Sequence, residues 1–151
     1  MTTFQSVNEI LDFAIAAEQD AVEFYNELSH NAKTVDMKTV FSEFAQEEMH
    51  HKAKLLEIKE TGIFEKSSTA VRDLKIADYT VDVQATPDIS YQDALILVMK
   101  KEKAAFKLYS TLSERAESSE LKETFLMLAM EESKHKLRFE LEYDEFVLRE
   151  N

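Results

Sequence analysis

The sequence predicts an all-α protein, a four-helix bundle built from two antiparallel hairpins joined by a long crossover. Three observations predict it. One Gly and one Pro in 151 residues leave few turn residues for a many-stranded sheet. Leu, Ala, Glu and Lys dominate, and all four favour helix. Apolar side chains recur in steps of three and four along four long segments. The length suits one domain, residues 1–151, with an extensive apolar core.

Each element has its own signals. Ser6-Val-Asn-Glu9 reads as a capping box that opens a first helix over about 6–30. Asp36 is the expected cap of a second helix over about 36–61, ending at Thr61-Gly62. Pro87 stops any helix from running through it, and Ser90-Tyr-Gln-Asp93 resembles another capping box, opening a third helix over about 90–115. Ser118-Ser119 opens a fourth over about 119–149. The turns at 31–35 and 116–118 are short, so helices one and two form one hairpin and helices three and four another. Residues 62–89 are too many for a turn; they are expected to cross the length of the bundle, with a short helical turn around Val71–Ala77.

Charge and composition exclude several functions. Eighteen basic residues against 30 acidic ones give a formal charge of −12, which repels nucleic acid and anionic membrane. There is no cysteine, hence no disulfide, thiolate zinc site or iron–sulfur cluster. The opening MTTFQSVNEI lacks a basic and an apolar signal region, and no run reaches membrane-spanning length, so a soluble cytoplasmic protein is expected.

The stretch Glu47-Glu48-Met49-His50-His51 contains two overlapping Glu-x-x-His pairs, Glu47 with His50 and Glu48 with His51. An internal repeat chooses between them. At an offset of 84 residues, Glu18…Ala21…Tyr25 matches Glu102…Ala105…Tyr109, and FSEFAQEEMHH (41–51) matches FLMLAMEESKH (125–135). In the second copy Glu131 is three residues from Lys134, which is no ligand, whereas Glu132 is three residues from His135. The repeat therefore selects Glu48 with His51.

Helical phase agrees. Glu48 and His51 interrupt the apolar stripe Phe41, Phe44, Leu55, Ile58; Glu132 and His135 interrupt Leu121, Phe125, Leu128, Phe139. Glu18 falls within Leu11, Ile15, Val22, Tyr25, and Glu102 within Leu95, Met99, Phe106, Tyr109. The Phe and Met residues of these stripes are read as core packing. Residues equally far from a hairpin turn lie at one level, which pairs Glu18 with Glu48 and Glu102 with Glu132. Four glutamates and two histidines converge on one layer.

Buried carboxylates cost several kcal/mol each unless paired or ligated. Two divalent cations match the charge of four glutamates, and oxygen donors with imidazole nitrogen suit iron or manganese. A lone Glu-x-x-His on an acidic helix is ordinarily solvated surface; two copies that both interrupt apolar stripes are not. Tyr25 and Tyr109 lie two turns beyond their glutamates, where their hydroxyls would either bond ligand carboxylates or serve as core groups bonded elsewhere. His30 and His50 are expected to be exposed.

These motifs resemble the rubrerythrin and ferritin-like superfamily, across all four helices. The resemblance implies that Glu18, Glu48, His51, Glu102, Glu132 and His135 ligate two iron ions, with manganese as the other candidate. It implies reduction of peroxide to water with electrons from a rubredoxin-type donor; dioxygen is the other candidate oxidant. Two departures stand out. Rubrerythrins usually carry a further glutamate where Ala105 stands, so the site is more symmetric and closer to the ferroxidase centre of bacterioferritin. Met49 also falls where bacterioferritin has a haem-ligating methionine. Second, without cysteine the electrons must come from a separate protein or from ferrous iron itself. The leading expectation is a peroxide-reducing di-iron oxidoreductase. The alternatives are a ferroxidase or iron-storage protein, an oxygen-dependent hydroxylase of an organic substrate, and a non-catalytic acidic bundle with structural metals. A homo-oligomer is expected, with hairpin swapping allowed by the long crossover.

Overall fold

A computed structural model of the chain describes residues 2–62, 64, 71–81, 86 and 88–150. Four long helices carry the fold: α1 (Val7–Asn31), α2 (Val35–Thr61), α3 (Tyr91–Arg115) and α4 (Ser119–Glu150). α1 packs along α2 and α3 along α4, and α1 and α3 touch more sparingly. Among the described residues, no helix is long and apolar enough to cross a membrane.

Local chemistry explains the helix ends. The Ser6 hydroxyl accepts from the Glu9 backbone N–H at 3.1 Å, and the Ser90 hydroxyl from Asp93 at 3.1 Å. The cap of α2 differs from expectation. Thr34, extended at φ −128 and ψ 156, accepts from the Met37 N–H, and Asp36 lies within the first turn. There its carboxylate still faces the positive end of the helix dipole. Gly62 ends α2 at φ 65, a left-handed conformation that costs glycine nothing.

The repeat extends to turn geometry. The Ser29 hydroxyl donates to the Lys38 carbonyl at 2.8 Å, and its counterpart Ser113 donates to the Lys122 carbonyl at 2.9 Å. Thr34 and Ser118 cap the second helix of each hairpin in the same way. Two similar turns thus set two similar hairpins.

The crossover is described in part, and Pro87 lies outside the described residues. A tight turn at Val71–Leu74 is closed by the Leu74 N–H donating to the Val71 carbonyl at 3.1 Å. A 3₁₀ turn runs over Ile76–Tyr79, overlapping the end of the expected Val71–Ala77 and running two residues past it. The delay has a cause: the Phe4 N–H donates to the Leu74 carbonyl at 3.0 Å and the Ile76 N–H to the Thr2 carbonyl at 3.1 Å. Pairing with the N-terminal segment holds Lys75 extended at φ −90 and ψ 129, so the 3₁₀ turn starts at Ile76.

The apolar interior is divided in two. One cluster gathers Phe4, Leu11, Leu55, Tyr109, Leu112 and Phe125 with the crossover residues Val71 and Leu74. The other gathers Tyr25, Leu28, Phe41, Leu95, Val98 and Phe139. Glu18, Glu48, His51, Glu102, Glu132 and His135 belong to neither cluster and are all buried. Phe106 corrects the stripe expected for the third helix: it is 42% exposed, while Leu108 is buried. The inward face of α3 centres nearer Val98 and Leu112, which puts Phe106 at its margin.

Candidate metal centre

Each helix delivers one glutamate to a common buried layer, and α2 and α4 each add a histidine one turn later. All six side chains are at most 3% exposed. Their donor atoms form two overlapping groups, Glu18–Glu48–His51–Glu132 and Glu48–Glu102–Glu132–His135, each within 4.8 Å. Glu48 and Glu132 are common to both, the position of carboxylates shared between two centres. Glu18 serves one group and Glu102 the other.

The histidines point Nδ1 into the layer. His51 Nδ1 lies 2.7 Å from Glu132 Oε1, 3.5 Å from Glu48 Oε2 and 3.6 Å from Glu18 Oε2. His135 Nδ1 lies 2.9 Å from Glu48 Oε1 and 3.7 Å from Glu102 Oε1. The two rings are nearly parallel, 14° apart with centroids 6.3 Å apart, and Phe44 stacks on the His135 ring at 4.0 Å. Despite this proximity, both Nδ1 atoms and one oxygen of each of the four glutamates are buried without an aligned hydrogen-bond partner. Orphaned buried donors and acceptors are rare and costly. Converging on common points, they have the arrangement that cations would satisfy.

Two functional carboxylates went unrecognised in the sequence. Glu131 reaches His51 Nε2, and Glu47 reaches His135 Nε2, each from the opposite helix hairpin. A carboxylate on the outer nitrogen fixes the tautomer and orients the inner nitrogen of a metal-ligating histidine. Pairing Glu47 with His50 and Glu131 with Lys134 along one helix hid these contacts between helices. The signal was the repeat itself, which puts glutamate at both 47 and 131. His30 and His50 are exposed, and so is Met49.

The tyrosines behave differently from one another. The Tyr109 hydroxyl donates to Glu18. The Tyr25 hydroxyl is buried without a hydrogen-bond partner, its ring tilted against Phe139 at 5.5 Å. Tyr109→Phe is therefore expected to weaken metal affinity about 10-fold, as loss of an outer partner does, and Tyr25→Phe to leave it unchanged. Calorimetric titration with manganous or ferrous ion checks both.

Crowding sets the electrostatics. Burial, then the charge of Glu48, pushes the Glu18 carboxyl up to about 8. Burial and the charges of Glu102 and Glu18 raise Glu132 well above the carboxylate range. Burial alone would lower His135, but Glu102 and Glu48 outweigh it and raise the ring to about 11. His51 is likewise raised, by Glu132, Glu18 and Glu48 against the opposing effect of burial. Protons thus supply the positive charge that the layer demands, and divalent cations would replace them.

A cavity of about 220 Å³ reaches the layer from between α1 and α3. Glu18, Glu48, Glu102 and Glu132 lie along its inner wall, and Ala17, Ala21, Ala104 and Ala105 narrow its sides. Lys101, bonded to Asp20, stands in its lining, with Tyr79 and Val81 of the crossover alongside.

The architecture is that of a ferritin-like bundle. A crystal structure described as a ferritin-like diiron-carboxylate protein from Thermotoga maritima matches it with a TM-score of 0.79 at 22% identity, over 96% of this chain and 99% of that one. The rubrerythrin family model matches residues 9–95, more than half of the sequence, and the chain belongs to the rubrerythrin family. No curated protein matches it. Family membership and the buried Glu/His groups together indicate metal binding, with iron the metal they favour.

Proposed function

We propose that the protein is a di-iron oxidoreductase that reduces hydrogen peroxide to water with electrons from an external donor such as a rubredoxin. Glu18, Glu48, His51, Glu102, Glu132 and His135 would hold the two ions, with Glu48 and Glu132 between them. Two ferrous ions bound there would supply the two electrons that peroxide needs.

The observation that carries this reading is the cavity between α1 and α3. It leads past Ala17, Ala21, Ala104 and Ala105 to the four glutamates, and the lysine in its lining, Lys101, is paired with Asp20 beside it. A neutral molecule the size of peroxide passes such a route without electrostatic cost. Reduction to water also consumes two protons, and Tyr109 holds one against Glu18 at the edge of the layer. Ala105 leaves open the volume that a further carboxylate would fill.

One observation favours a ferroxidase instead: the two donor groups are near copies of each other, each with one private glutamate, one histidine and two shared glutamates. Stopped-flow mixing of the diferrous protein with peroxide and, separately, with dioxygen distinguishes the readings. Faster oxidation by peroxide is expected. Faster oxidation by dioxygen, followed by turnover of added ferrous iron, would replace this proposal with the ferroxidase; inertness to both would leave a structural metal site.

A further inference from the structure

The cavity that leads to the four glutamates is larger than hydrogen peroxide requires. Its volume is about 220 Å³, whereas roughly 10–15 Å³ of such space holds a water. Four alanines and the side chains of Phe13, Val81 and Leu108 make much of its wall apolar. An alkyl group fits that wall; hydrogen peroxide makes no use of it.

Along α3 a second cavity, of about 400 Å³, adjoins the first. Thr80, Val81 and Ala104 line both, so the two are continuous past Ala104. The outer chamber is lined by Lys100, Lys103 and Lys107 against one carboxylate, Asp78, a formal excess of two positive charges. All three lysines are exposed, and Lys107 lies over the Tyr79 ring at 5.7 Å. Lys59, Lys101 and Lys136 each hold a carboxylate elsewhere on the surface. Among the described residues, Lys100, Lys103 and Lys107 hold none.

The repeat provides a control. The α1 positions equivalent to Lys100, Lys103 and Lys107 are Ala16, Gln19 and Glu23, and α1 carries no lysine or arginine. Solvating this helix face therefore does not call for cations. On a chain of formal charge −12, three unpaired ammonium groups around one chamber suit an anion.

We propose that, beyond hydrogen peroxide, the site takes an organic hydroperoxide that carries a carboxylate at the far end of an alkyl chain. This substrate class rests on the peroxide-reducing reading above. The carboxylate sits among Lys100, Lys103 and Lys107, the chain passes Ala104 into the apolar cavity, and the hydroperoxide group reaches the glutamate layer. Reduction breaks the O–O bond. The hydroperoxide takes up two protons and two electrons, one electron from each of two ferrous ions, and leaves as an alcohol and water. A helix with its side chains is about 10 Å across. An extended chain gains roughly 1.2 Å per bond, so about eight carbons bridge the lysines and the layer.

Calorimetric titration of the metal-free protein with ω-hydroxyoctanoate, the alcohol product, and with its methyl ester tests the site without redox chemistry. The acid is expected to bind about 10-fold tighter, the effect of a few exposed ion pairs. Lys100→Gln/Lys103→Gln, which leaves Lys107 on Tyr79, should abolish that preference. Lys122→Gln/Lys134→Gln on α4 should keep it. Stopped-flow oxidation of the diferrous protein then compares ω-hydroperoxyoctanoate, its methyl ester and hydrogen peroxide. Below saturation the acid is expected to react about 10-fold faster than the ester. Equal binding of acid and ester, or a preference that survives Lys100→Gln/Lys103→Gln, overturns the proposal. Oxidation by hydrogen peroxide but by neither organic hydroperoxide overturns it and leaves the peroxide-reducing reading intact; inertness to all three overturns that reading as well.

Discussion

The metal-free protein is expected to lose stability, on the order of several kcal/mol, as pH rises from about 5 to about 8. Glu18, ordinarily near 4.5, is pushed up to about 8 in the folded chain, and Glu132 is raised in the same direction. Over that window the native state holds protons that the unfolded chain has released. The stabilisation is complete below about 4.5 and is lost as pH climbs through the folded values. His135 adds the same sign: its contribution is full below the ordinary 6.5 and declines up to about 11. Metal loading should reverse the trend, since cations bind the deprotonated carboxylates and neutral rings and compete with protons. The advantage of the loaded over the metal-free form should therefore grow with pH. Chemical denaturation of both forms at several pH values measures it. Glu132→Gln removes one titrating group, so it should flatten the metal-free slope and stabilise that form by about 1 kcal/mol or more near pH 8 while weakening metal binding. A slope of opposite sign in the metal-free protein would mean that the layer does not hold its carboxylates protonated.

Much of this architecture was legible because the gene product repeats itself. An offset of 84 residues aligned Ser6 with Ser90, Glu18 with Glu102, and His51 with His135, so a feature ambiguous in one half could be decided in the other. Capping serines at 6 and 90 gave the helix starts, because one hydroxyl and one backbone N–H three residues later suffice for the contact. What the sequence obscured was set between elements. Thr34 displaced Asp36 as a cap through the conformation of the turn that precedes it. The crossover turn moved later because residues 2–4 pair with residues 74–76, a contact between segments some seventy residues apart. Phe106 is exposed because the inward face of α3 runs through Val98, Leu108 and Leu112, on the other side of Glu102. Glu47 and Glu131 have their partners on other helices, so spacing along one helix does not reveal them.

The second large effect separates adjacent histidines. His51→Ala and His135→Ala are each expected to lower metal affinity by about 100-fold or more, above what loss of an outer partner causes, whereas His50→Ala should leave it unchanged. His51 and His135 are buried with Nδ1 turned toward two or more carboxylate oxygens; His50, next in sequence, faces solvent. A helix turns about 100° per residue, so one step along α2 carries a side chain off the inner face altogether. Glu131→Gln and Glu47→Gln should fall between these extremes, about 10-fold each, because a neutral amide still fills the space but orients the ring less firmly. Near-additive losses in Glu47→Gln/Glu131→Gln would follow from their acting on different rings. Competition titrations with a chelator, paired with circular dichroism to confirm folding, give the affinities. Equal losses from His50→Ala and His51→Ala would put the site in the other register, with Glu47 rather than Glu48 facing inward. The burial of Glu48 and the half-exposed position of Glu47 argue for the register in which His51 carries the metal.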